Sequence, residues 1–158
     1  MEIAGRADEP WDALFIFHFV SSEGDQAVAE RLQNLTAREA GAGLNFGKEI
    51  SAGKRNAPCM IAGCFLEQKE CAALIDAWNE PDGKMDWMCY IPNHGIATVK
   101  DGILDWWALV CFQCANAGIS GSRALQRGPA PNRNLPEGLA FKDKLIGLLP
   151  ERRFPFRM

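Results

Sequence analysis

A chain of 158 residues with 47% apolar and 23% charged side chains has enough material for one buried core and too little polar bias for disorder, so a single soluble domain is expected. The formal net charge of −3 is unevenly placed: residues 1–119 carry nine Lys/Arg against seventeen Asp/Glu, and residues 120–158 carry eight against three. An acidic body excludes nucleic acid from most of the surface and favours a basic protein partner.

The first element is "ALFIFHFV" (13–20), a β-branched and aromatic run that predicts a buried strand, with His18 as a core histidine. The run is too short to span a bilayer. Glu2, Asp8, Glu9 and Asp12 precede it where a signal peptide would carry basic residues, so no membrane association and a cytoplasmic location are expected. Ala27, Val28, Leu32 and Leu35 recur at helical spacing and predict a helix over about 24–40, with Gly41 ending it. The glycine-rich stretch that follows reads as loop with a short edge strand. Its "GAGLNFG" lacks the Lys-Ser/Thr ending of a phosphate loop. "APCMIAGCFL" (57–66) predicts a second strand, with Gly63 as its weak point. Glu67, Cys71, Leu74, Ile75 and Trp78 then mark a helix that stops at Pro81, Asp82 and Gly83.

Residues 88–116, "MCYIPNHGIATVKDGILDWWALVCFQCAN", hold three of the six cysteines, His94 and a Trp-Trp pair. Asp101 and Gly102 between apolar runs predict a type I′ hairpin turn joining strands over about 86–100 and 103–114. Pairing Lys100 with Ile103 sets Cys89 opposite Cys114, His94 opposite Leu109 and Cys111 opposite Pro92. Proline lacks the ladder donor, which places a bulge at Pro92. Residues 121–137 are rich in proline and glycine and read as a long irregular loop, and "FKDKLIGLLP" predicts a short amphipathic helix ending before Pro150. The order defines a single α+β domain with a mainly antiparallel sheet, a central hairpin and helices packed on it.

The cysteines admit three readings. Cys89, His94, Cys111 and Cys114 have the ligand chemistry of a zinc site, but on a regular strand residues three apart point to opposite faces. A thiol-redox pair at Cys111 and Cys114 would need a helix N-terminus that the sequence does not provide. In the reading favoured here the cysteines are buried thiols, and Cys89 with Cys114 is the pair to test for a disulfide in an oxidising compartment. His94 is expected to be a structural hydrogen-bonding residue. Asp82, Asp86, Asp101 and Asp105 form an acidic rim. Trp87, Trp106 and Trp107 alternate with polar residues, and of the adjacent pair Trp106 and Trp107, which must face opposite sides of the sheet, one is expected to be exposed as a contact residue.

The Cys89, Pro92, His94, Gly95, Ile96 strand followed by Cys111, Phe112 and Cys114 resembles a C-x-x-P-x-H-G-I … I-C-F-x-C strand pair of small bacterial proteins with no assigned activity, many of them exported. The resemblance implies the hairpin and a closing helix, "FKDKLIGLLPE". The N-terminal half and the loop at 121–137 depart from it.

The function expected is that of a non-enzymatic bacterial binding protein, of immunity or accessory type, that occludes a basic protein partner. Its contact residues are Trp87, Trp106, Trp107, Asp82, Asp86 and Asp105, and no cofactor is expected. The alternatives are a small zinc- or thiol-dependent protein centred on Cys89, His94, Cys111 and Cys114, and a homo-oligomer pairing through a sheet edge.

Overall fold

The computed structural model describes residues 12–42, 49–53, 57–66, 68–81, 83, 91–120, 130–135 and 140–149. They run in the order β1 (Ala13–Ser21), α1 (Asp25–Ala42), β2 (Glu49–Ala52), β3 (Cys59–Phe65), α2 (Gln68–Trp78), β4 (His94–Lys100), β5 (Ile103–Cys111), β6 (Asn116–Ser120), β7 (Ala130–Asn134) and α3 (Ala140–Leu148). The strands form one antiparallel sheet in the order β2-β3-β1-β4-β5-β6-β7, so the fold is α+β.

The apolar run of β1 is continuous because both faces of the sheet are covered. Phe15, Phe17 and Phe19 point to one side and pack with Val28, Ala29, Leu32 and Leu35 of α1. Leu14 and Ile16 point to the other and pack with Leu74 and Trp78 of α2 and with Phe141 and Leu145 of α3. Each such side chain contributes roughly 1.5–3 kcal/mol on burial. On the second face the Trp78 ring meets Trp106 edge-on at 5.8 Å and Phe141 at 5.1 Å, tying α2, α3 and β5 together.

The hairpin turn forms as the dipeptide requires. Asp101 and Gly102 both have positive φ, 51° and 72°, and the Asp101 amide donates to the Asp12 carboxylate. The register beyond it departs from the expected one. Lys100 pairs with Ile103 and Val99 with Leu104, but then a bulge shifts the ladder so that Thr98 meets Trp106 and His94 meets Val110, not Leu109. The irregularity therefore sits at Asp105 and not at Pro92. Its physical reason is visible in the two cores. Leu104 faces the α1 side, so strict alternation would aim Asp105 into the apolar α2–α3 core. The bulge removes Asp105 from the alternation and sends Trp106 there instead. It also sets large against small across the strands: Trp107 on Ala97, Ala108 on Ile96, Leu109 on Gly95.

Further corrections concern the ends of the hairpin. β5 stops at Cys111, and Cys114 lies in the turn of residues 112–115, where Ala115 has φ 49°, before β6 returns alongside β5. The expected strand over 103–114 is therefore a strand, a turn and the approach to a further strand. Of the expected irregular loop at 121–137, residues 130–134 are β7, paired with β6. The expected start of the first hairpin strand, from 86 to 90, lies outside the described residues, and 91–93 precede the strand proper.

Candidate functional site: a cleft beside the histidine pair

β1 lies between β3 and β4, so His18 falls directly opposite His94 in the ladder. These are the only histidines of the chain. Their ring centroids are 4.9 Å apart, on the sheet face shared with α2 and α3. The backbone holds this end of the sheet from both sides: the Phe19 amide donates to the Asn93 carbonyl at 2.8 Å, and the Asn93 amide to the Val110 carbonyl at 3.3 Å.

His94 is the inner wall of a cleft of about 290 Å³ lined by Ile91, Asn93, His94, Val110, Phe112, Gln113 and Lys142. The Phe112 ring stands 5.1 Å from the His94 ring, and the Lys142 ammonium lies 5.8 Å from the centre of the Phe112 ring. That distance is within reach of a cation–π contact. Phe112 reaches this place because it begins the turn after β5, and Lys142 because α3 seats the neighbouring Phe141 in the core. Burial, with His18 and the Lys142 charge adding to it, lowers the His94 pKa from 6.5 to about 4. Burial lowers that of His18 as well. At neutral pH the imidazole facing the cleft is therefore uncharged, able to donate through one nitrogen and accept through the other. Among the described residues Lys142 is the only charged side chain lining the cleft, and no ion pair forms on it.

The expected site residues are distributed differently. Among the cysteines, Cys59, Cys64, Cys71 and Cys111 are buried thiols, and Cys114 is disulfide-bonded. Cys89, the partner expected for Cys114, lies outside the described residues. Burial raises the Cys59 pKa and pushes that of Cys71 to about 11, so neither is a ready nucleophile. The Cys64 thiol reaches the Leu148 carbonyl at 3.9 Å. Of the four residues weighed as an alternative zinc site, His94 shares the face of Val110, opposite it, so the next residue, Cys111, falls on the other face of the sheet. Cys114, engaged in a disulfide, offers no thiolate. No group of three or more His, Cys, Asp or Glu able to hold a metal ion occurs among the described residues.

Of the expected contact residues, Trp106 and Trp107 do point to opposite faces, but both are buried, because helices cover both faces of the sheet. Neither is an exposed anchor. Asp105 is half-buried at the bulge, and Asp101 is exposed in the hairpin turn. Trp87, Asp82 and Asp86 lie outside the described residues.

No protein-family model, curated protein or solved structure matches this chain. No helix among the described residues is long and apolar enough to cross a membrane.

Proposed function

We propose that the protein is a non-enzymatic binding protein that engages its partner at the end of the sheet where the cleft opens. The observation that carries this reading is where apolar surface is left uncovered. Among the described residues the exposed large hydrophobics are Val20, Ile91 and Ile103, 39%, 61% and 59% accessible. Val20 and Ile91 stand at the cleft end: Val20 follows His18 on the same face, and Ile91 lines the cleft itself. Apolar side chains grouped around a concavity that has one cation and two amides are the usual make-up of a recognition site.

An immunity-type or accessory role, in which a partner is occluded, is the form we propose for this binding. The acidic body would draw a basic partner from a distance, and the local contact would be apolar. The disulfide at Cys114 supports an oxidising compartment in place of the cytoplasm expected from the sequence.

The test uses three single variants in affinity capture from the native host, with partners identified by mass spectrometry. Ile91→Lys and Val20→Lys are expected to lose a partner that wild-type protein retains. Ile103→Lys, at the opposite end of β4 and β5, is expected to keep it. Loss with all three variants, retention with all three, or no partner for the wild type would overturn the proposal.

A further inference from the structure

We infer that the cleft beside His94 binds a small apolar monocarboxylate, with its carboxylate on the Lys142 ammonium and its apolar part against Ile91, Val110 and Phe112. This deepens the binding reading above and rests on it. The inference starts from charge. Among the described residues the cleft presents one cation and no anion, and that cation has no counter-ion. Its neighbour is the Phe112 ring, centred 5.8 Å away, a weak partner that leaves its N–H donors for a ligand. A single ammonium suits a single carboxylate, whereas a phosphate dianion calls for several donors or a guanidinium fork.

The remaining walls fix the rest of the ligand. Val110, Phe112 and Ile91 are apolar, and the uncharged His94 imidazole adds no second cation that would favour a dianion. Asn93 and Gln113 offer amides for one further polar group beside the carboxylate. A cavity of about 290 Å³ lies at the small end of the range for ligand pockets, which points to a ligand on the order of ten non-hydrogen atoms. Two sources supply this chemistry: a free organic acid, or the last residue of a partner chain with its terminal carboxylate.

The experiment is an amide-NMR titration of the full chain. Phenylacetate and isocaproate represent free acids, phenylacetamide is the neutral counterpart, and a tetrapeptide ending in leucine is used with a free or an amidated C-terminus. Phenylacetate, isocaproate or the free-ended peptide is expected to shift the amides around residues 91–94 and 110–113, and the neutral counterparts to bind about tenfold or more weakly, the usual loss when a charged hydrogen bond goes. Lys142→Met is expected to weaken the acid by a similar factor, Lys142→Arg to retain it, and Lys144→Met, exposed on the same helix, to leave it unchanged. Binding by the free acids identifies the first source, and binding by the free-ended peptide alone identifies the second. Equal binding of acid and amide, indifference to Lys142→Met, or no shift with any probe up to about 10 mM overturns the inference. If it falls while Ile91→Lys still loses the captured partner, the binding proposal stands and only the ligand class is wrong.

Discussion

Acidification isolates the energetic cost of the buried histidine pair. In the unfolded chain His94 takes up a proton near its ordinary pKa of 6.5, whereas in the fold it does so only near 4. The folded pKa is the lower one, so the unfolded state binds the proton first. Stability is therefore whole above pH 6.5 and is lost progressively as pH falls towards 4. The gap corresponds to roughly 3 kcal/mol at its full extent and to about 2 kcal/mol by pH 5. The cause is burial first, then the His18 ring 4.9 Å away and the Lys142 charge. Carboxylates also destabilise the fold in acid, so the measurement is a difference. Urea unfolding of wild type and His94→Gln is followed at several pH values between 7.5 and 4.5, with m-values compared to confirm the same transition. The variant is expected to start less stable at neutral pH and to lose less on acidification, so that the curves converge or cross. Parallel curves, with a difference constant to about 0.5 kcal/mol across the window, would refute the claim that the fold holds this imidazole uncharged.

Gly95 lies under the Phe17 ring, and a Cβ there would stand 2.6 Å from Phe17 Cε2 and 2.8 Å from the Ala108 carbonyl oxygen. Gly95→Ala is therefore expected to cost about 1–3 kcal/mol in chemical denaturation, and a change near zero would mean that Phe17 moves aside freely. Trp78→Ala, which empties the contact of α2 with Trp106 and Phe141, is expected to cost about 3–5 kcal/mol by the same assay. Thiol titration of denatured, unreduced protein is expected to find four thiols, those of Cys59, Cys64, Cys71 and Cys111. Peptide mapping is expected to recover Cys114 cross-linked to Cys89, and six titratable thiols would refute both statements. Cys114→Ser and reduction of the wild type are each expected to lower stability by about 2–4 kcal/mol, and the two losses should not add.

The parts of the fold that were legible in the sequence are those set by neighbouring residues. Asp101 and Gly102 encode the hairpin because both positions need positive φ, and Leu74 and Trp78 encode α2 by their spacing. The bulge was misplaced because Pro92 is a visible local irregularity, whereas the reason for the bulge at Asp105 is that two opposite cores must each receive a tryptophan and neither can accept a carboxylate. That conflict exists only once α1 covers one face and α2 with α3 the other. The same fact explains why a Trp-Trp pair that reads as half exposed is wholly buried. β6 and β7 were missed because a short turn at 112–115 contains neither glycine nor proline, and because Pro131 sits in β7, an edge strand where a missing ladder donor is tolerated.

The cleft was hidden for a deeper reason. His18 and His94 meet only because β1 is inserted between β3 and β4, a pairing that no local pattern encodes. Lys142 carries no signal of its own on an amphipathic helix. It becomes the cation of the cleft because Phe141, one residue earlier, is fixed in the α2–α3 core against Trp78. Each residue of the cleft is thus ordinary in its own segment, and its chemistry arises from the insertion of β1 and the docking of α3. Substitutions that loosen α3, such as Phe141→Ala, which also removes the ring packed 6.2 Å from Phe112, are therefore expected to weaken Lys142-dependent binding. The amide-NMR titration checks this, with thermal unfolding used to confirm that the variant remains folded.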